Sequence, residues 1–126
     1  MGSVFSKLAR LSALSFGKKS EAVAARELKR MGYKIIEMNF HCREGEIDII
    51  AREGETIIFC EVKARRSDKF GSALEGVTPA KIVKLKKAAE VYINRNRLEK
   101  VDARFDVVAI DEGGGERKLE VIRNAF

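Results

Sequence analysis

Apolar positions along the chain recur in two helical stripes and five alternating runs. Residues 20–31 carry Ala24, Ala25, Leu28 and Met31 at helical spacing, with Ser20 suited to cap the start and Gly32 to end it. Alternation follows in residues 33–40, 46–51 and 56–64, which predicts three strands. Thr78-Pro79 is a good helix opening, and Ile82, Leu85, Ala89, Tyr92 and Ile93 form the apolar face of a helix that runs to about residue 96. Lys84 and Lys87 fall opposite that face, and Lys81 at its boundary. Two more strands, residues 104–111 and 118–123, are joined by the flexible tip Glu112-Gly113-Gly114-Gly115. The order α-β-β-β-α-β-β predicts an α/β sandwich, a mixed central sheet flanked by helices.

The second and third strands carry acids where a core strand normally avoids them. In residues 46–51, Glu46, Asp48 and Ile50 share one face, with Ile47, Ile49 and Ala51 on the other. In residues 56–64, Ile57, Phe59, Glu61 and Lys63 share a face, opposite Ile58, Cys60 and Val62. Between them lies Arg52-Glu53-Gly54-Glu55, whose acid-glycine pair suits a tight hairpin. With Glu53-Gly54 as a two-residue loop, Asp48 pairs with Phe59, and Glu61 is its diagonal neighbour at roughly 7–8 Å. With residues 53–56 as the loop, Asp48 lies opposite Glu61. A three-residue loop would turn Asp48 to the other face. Two adjacent carboxylates out of water need positive charge between them; a divalent cation together with Lys63 meets that need.

Composition narrows the class. The chain has 126 residues, one domain's worth, and 25 Lys plus Arg against 19 Asp plus Glu give a formal charge of +6, which favours polyanion partners. Its two cysteines, Cys42 and Cys60, and its one histidine, His41, are too few for a disulfide framework or a structural zinc site. A reducing, cytoplasmic setting fits, and no apolar run approaches the roughly 18 residues that span a bilayer. Residues 1–19 form a basic, acid-free extension, helical or disordered, ahead of a single domain over residues 20–126. Glu21, which precedes the apolar stripe of its helix by three and four residues, points towards the sheet; one reading of it is a first-turn acid favoured by the helix dipole, set evenly against the role that the resemblance below implies. Residues 64–76 form a basic, glycine-punctuated connection. Its Arg65, Arg66 and Lys69 suit phosphate contacts, and its Phe70 suits stacking on a base or anchoring the loop.

Asp48, a turn, then Glu61-x-Lys63 matches the nuclease signature written PD-(D/E)xK. Over nearly its whole length from Ser20 the chain resembles the YraN-like family of bacterial proteins. The resemblance rests on Glu21-x-x-Ala24, Gly32-Tyr33, Asn39, Gly45-Glu46-Ile47-Asp48, Phe59-x-Glu61-Val62-Lys63, Phe70-Gly71, Lys81, Arg104-Phe105-Asp106-Val107-Val108 and Asn124-Ala125-Phe126. Ser20 stands where the family usually has Gly. The resemblance implies a restriction-endonuclease-like fold, similar to archaeal Holliday-junction resolvases. It also implies a metal site in which Asp48, Glu61 and the Val62 carbonyl hold Mg²⁺ or Mn²⁺, Glu21 is an accessory acid, Lys63 serves the attacking water, and Lys81 lies near the scissile phosphate.

The expectation is therefore a metal-dependent endonuclease acting on DNA in preference to RNA, branched DNA included, with no membrane partner and with homodimerisation compatible. Oxygen ligands suit hard divalent ions, and a bound ion that polarises a phosphoryl oxygen and acidifies water removes the need for a covalent nucleophile. The competing class is a noncatalytic nucleic-acid-binding or partner-recruiting module on the same fold.

Overall fold

The computed structural model describes residues 16–65, 76–112 and 116–126. The elements are α1 (Phe16–Arg30), β1 (Lys34–Cys42), β2 (Gly45–Glu53), β3 (Thr56–Arg65), α2 (Pro79–Arg95), β4 (Ala103–Asp111) and β5 (Lys118–Ile122). The strands form one sheet in the order β1-β2-β3-β4-β5. Neighbours are antiparallel except β3 and β4, which run parallel and are connected through α2. The expected mixed sheet with flanking helices and the element order α-β-β-β-α-β-β are what the chain adopts.

Each helix covers one face of the sheet. Ala24 and Leu28 of α1 pack with Ile49, Ala51, Ile58, Cys60, Val108 and Ile110. Leu85, Ala88, Ala89 and Tyr92 of α2 pack with Phe40, Ile47, Ile50, Ile57 and Phe59. β3 therefore divides its alternate residues between two cores, as its period-2 pattern requires. Among the described residues, no helix is long and apolar enough to cross a membrane.

Helix α1 begins earlier than expected. It starts at Phe16, so Ser20 lies inside it and is buried, and Ser20 is not its cap. The first turn of α1 holds no acid. Glu21 sits in the second turn, which removes the dipole explanation for it, because that effect fades within one turn. The C-terminal end is as expected: Gly32 adopts φ 99°, a conformation that glycine takes without penalty.

Strand β2 departs from simple alternation. Ile49 belongs to the core under α1, whereas Ile47, two residues away, belongs to the core under α2 with Ile50. Their partners on β1, Met38 and Phe40, divide in the same way. The change of phase falls between these pairs, at Asn39 on β1 and Asp48 on β2, and Asn39 has φ 55°. Asparagine tolerates this left-handed conformation better than most residues. Glu46, Asp48 and Ile50 consequently do not line one regular face; Asp48 sits at the twist where β2 changes sides.

On β4, where Asp106 pairs in register with Cys60, a buried polar cluster ties Tyr33 to the segment after β5. Asp106 is 0% exposed. It accepts hydrogen bonds from Arg104 Nε at 3.0 Å, the Tyr33 hydroxyl at 3.2 Å and the Asn124 backbone N–H at 2.9 Å. Arg104 also reaches Glu53, which Arg123 pairs as well. A buried carboxylate so fully partnered organises the fold, and it explains the packing of Phe126 on Phe105, whose ring centroids are 5.7 Å apart.

Candidate active site

The hairpin register decides whether Asp48 and Glu61 meet. Arg52 pairs with Ile57 and Glu53 with Thr56, so the loop is Gly54-Glu55, with Gly54 at φ 61°. Neither Glu53-Gly54 nor residues 53–56 form the loop, yet the register equals that of the longer one. The ladder ends at Ile49 and Cys60; carried one residue further, it sets Asp48 across from Glu61. There the Asp48 side chain takes over from the backbone: its Oδ2 accepts a hydrogen bond from the Val62 N–H at 2.8 Å. A main-chain donor left by the end of the ladder is thereby satisfied, which fixes the carboxylate beside Glu61.

Glu61 is 5% exposed on the β3 side facing α2. Its Oε1 receives the Lys81 Nζ at 2.9 Å. Local sequence places that lysine. Thr78 caps α2 by accepting from the Lys81 backbone N–H at 3.2 Å, and Pro79 fixes the first turn. Gly45 lets the helix come close, since a Cβ there would lie 3.0 Å from the Lys84 carbonyl oxygen. Lys81 is a cation of the site itself, a position that the boundary of a helical stripe does not reveal. Lys84, an exposed residue, also lines the cavity.

The site lies in a cavity of about 730 Å³ whose wall includes Glu21, Glu46, Asp48, Glu61, Lys81 and Lys84. Burial, first, and the charge of Glu61, second, push the Asp48 carboxyl up to about 6, against the lowering effects of the Val62 N–H and of a side-chain hydrogen bond with Glu21. Glu61 in turn holds the Lys81 ammonium above the ordinary lysine value. At the cavity mouth the exposed His41 Nδ1 lies 3.1 Å from Glu46 Oε2. His41 therefore has a carboxylate partner beside the site, where its sequence position suggests only a turn.

The sequence-predicted residues divide into three groups. Glu21, Asp48, Glu61 and Lys81 are brought together, with Val62 beside them. Lys63 follows Glu61 on its strand face but lies along Gly76, where a Cβ would stand 2.5 Å from Lys63 Cε. Among the described residues of the cavity wall the lysines are Lys81 and Lys84. Of Arg65 only the backbone is described, at the end of β3, and Arg66, Lys69 and Phe70 lie outside the described residues.

Residues 20–110 match the family described as "Uncharacterised protein family UPF0102". The chain belongs to the UPF0102 family. A UPF0102 protein of Syntrophus aciditrophicus is 47% identical over 113 residues, covering 90% of this chain and 89% of the relative. One from Syntrophomonas wolfei is 47% identical over 106 residues, 84% of this chain and 92% of its own. Another from Geobacter metallireducens is 46% identical over 112 residues, 89% and 92%. The UPF0102 match takes in α1 from Ser20, all of β1 to β3 and α2, β4 as far as Ile110, and every cavity residue named above.

As it stands, this UPF0102 site sets two adjacent carboxylates against one paired ammonium, that of Lys81 on Glu61. Among the described residues, no group of three or more His, Cys, Asp and Glu side chains is placed to hold a metal ion. Two adjacent carboxylates, one of them with a raised proton affinity, nevertheless form a hard oxygen donor pair with unspent negative charge. Mg²⁺ keeps several of its waters and binds through one or two carboxylates, so the donor set suits it.

Proposed function

We propose that this UPF0102 protein is a divalent-metal-dependent phosphodiesterase that hydrolyses DNA, branched DNA included, on a restriction-endonuclease-like sandwich. The observation that carries the proposal is the Asp48–Glu61 pair, held at the end of a sheet ladder in an open cavity. Satisfying the Val62 N–H accounts for Asp48 but not for a second carboxylate abutting it, and burial together with repulsion that raises a proton affinity marks functional sites more often than scaffolding. Asp48, Glu61 and the Val62 carbonyl are the residues that would hold Mg²⁺ or Mn²⁺, with Glu21 supporting Asp48 through their hydrogen bond. When bound, the ion supplies Lewis acidity towards a phosphoryl oxygen and a more acidic water.

The chain's own groups do the rest. Val62 N–H fixes the Asp48 carboxylate, the buried setting of Glu61 keeps that carboxylate oriented, and Lys81 and Lys84 offer positive charge at the wall to a phosphate. Lys63, which follows Glu61 on its strand face but lies along Gly76 outside the cavity wall, would have to turn into the cavity to orient or deprotonate the attacking water. The formal charge of +6 favours a polyanion as substrate, and a cytoplasmic location suits the reduced cysteines.

The noncatalytic reading draws on one observation, the neutralisation of Glu61 by Lys81 without a metal. A cleavage assay separates the two readings. Labelled junction, flap, single-stranded and duplex DNA, with an RNA duplex alongside, are incubated with Mg²⁺, Mn²⁺ or EDTA. The phosphodiesterase reading predicts metal-dependent products from at least one DNA and none with Glu61→Gln. Nucleic-acid binding without products in any metal favours the noncatalytic module.

A further inference from the structure

The ammonium of Lys81 occupies one oxygen of a carboxylate that has almost no other contact with solvent. Lys81 Nζ lies 2.9 Å from Glu61 Oε1, the Glu61 side chain is 7% exposed and that of Lys81 is 44% exposed. One end of this contact is therefore fixed in the protein, and the other is a flexible four-carbon stem with open water beside it. The backbone of Lys81 cannot follow its ammonium, because the Thr78 hydroxyl holds its N–H in the first turn of α2. Movement is left to the side chain alone.

A dication seated between Asp48 and Glu61 and the ammonium of Lys81 compete for the same negative charge at close range. Like charges this near in a half-buried cavity repel strongly, and the mobile one yields. Released from Glu61, Lys81 remains tethered at the cavity wall, where Lys84 is its basic neighbour. The anion it would meet there is the phosphate of a substrate drawn to the same cavity.

We propose that Lys81 is an exchangeable counter-cation and a positioning residue: it neutralises Glu61 in the metal-free protein and is displaced by the divalent ion to bind a substrate phosphate oxygen. The proposal rests on the metal-dependent reading of the site. It makes metal and phosphate binding mutually reinforcing, since each gains from a lysine that has left Glu61, and such coupling is reciprocal. A lysine with a purely structural role would give the opposite result, because its removal would loosen Glu61 and weaken the metal site.

Calorimetric titration with Mn²⁺ alone, without nucleic acid, tests this on wild type, Lys81→Gln and Lys87→Gln. Lys87→Gln removes a like charge from the same helix at a position that does not line the cavity. Lys81→Gln should bind Mn²⁺ about tenfold more tightly than wild type, within the usual range of coupling between sites, and Lys87→Gln should differ from wild type by less than about twofold. In a parallel measurement, fluorescence anisotropy of a labelled DNA duplex in Ca²⁺ or EDTA should show Ca²⁺ strengthening binding to wild type and losing most of that effect in Lys81→Gln. Circular dichroism checks the fold, and Lys81→Met, which keeps the stem, repeats the titration. Wild-type Mn²⁺ binding with equal or weaker binding in both Lys81 variants overturns the exchange and leaves the metal reading standing. No Mn²⁺ binding in any of the proteins overturns both.

Discussion

Asp48→Asn should make the metal-free protein more stable at neutral pH while abolishing the metal binding proposed for it. Asparagine matches the aspartate in shape, keeps an oxygen for the Val62 N–H bond of 2.8 Å and presents an amide donor to Glu61 in place of a repelling charge. An acid whose folded pKa is raised binds its proton more tightly in the folded protein than in the unfolded chain. Its contribution to stability is therefore present below about pH 4 and is lost as pH climbs through about 6. For Asp48 the rise from 3.8 to about 6 corresponds to about 3 kcal/mol of native-state penalty above pH 7. The charge of Glu61 is only one of the causes of that rise, burial being the larger, and asparagine is still buried there, so about 1–2 kcal/mol should be recovered by the substitution. The assay is urea unfolding of both proteins from pH 4 to pH 8 in EDTA. The stability difference should be near zero or should favour wild type at pH 4, and should reach about 1–2 kcal/mol in favour of Asp48→Asn at pH 8, a melting-temperature gain of about 3–8 °C. A variant destabilised by the same amount at every pH would refute the reasoning, because it would mean that the carboxylate is a structural partner and not a strained functional one.

Substitutions at three further positions test other parts of the account. Gly45→Ala places a Cβ 3.0 Å from the Lys84 carbonyl oxygen, so α2 must shift; urea unfolding should register a loss of about 1–3 kcal/mol, and an unchanged midpoint would show that the helix gives way freely. Asp106→Ala leaves the Tyr33 hydroxyl, the Arg104 guanidinium and the Asn124 N–H without their buried acceptor. It should cost about 3–5 kcal/mol, whereas a loss under about 1 kcal/mol would show the cluster to be dispensable. If Lys63 acts on the attacking water, Lys63→Ala should keep metal and DNA binding but lose roughly 10²–10⁴-fold in single-turnover cleavage at saturating Mg²⁺. Lys63→Arg should not rescue the rate, since guanidinium stays protonated, and near-equal rates in all three proteins would reject the role.

What the sequence reveals and conceals follows from the range of the forces involved. Element order was legible because each helix and strand repeats its own period over many residues, and Gly32, Thr78 and Pro79 mark boundaries by local backbone chemistry. The meeting of Asp48 and Glu61 was legible only as one of several registers. Glu53 is kept inside the ladder, opposite Thr56, and its carboxylate is held by Arg104 and Arg123. Those partners come from β4 and the segment after β5, so a reading of the hairpin alone misplaces the loop by one residue. Lys81 shows the same limit. Proximity in sequence favours Lys63 as the partner of Glu61, but the partner is chosen by how α2 closes over the end of the sheet, and that depends on the bare backbone at Gly45. The switch of face at Asp48 depends on the left-handed conformation of Asn39 on the neighbouring strand, which no alternation count contains. The apolar stripe aimed Glu21 at the sheet and left its role open between the helix dipole and the accessory acid that the resemblance implies; the structure sets it in the cavity wall, on a helix that starts at Phe16.

The central claim is that a divalent ion bound by Asp48 and Glu61 is what makes the protein a phosphodiesterase. The most direct test follows single-turnover cleavage of the best DNA substrate as Mn²⁺ is raised, alongside the Mn²⁺ binding isotherm of the same preparation in the presence of uncleaved substrate analogue. The account predicts that the cleavage rate climbs along the binding curve and that both are lost in Asp48→Asn and Glu61→Gln, which remain folded. Cleavage that persists in either variant, or that proceeds in EDTA, would contradict it.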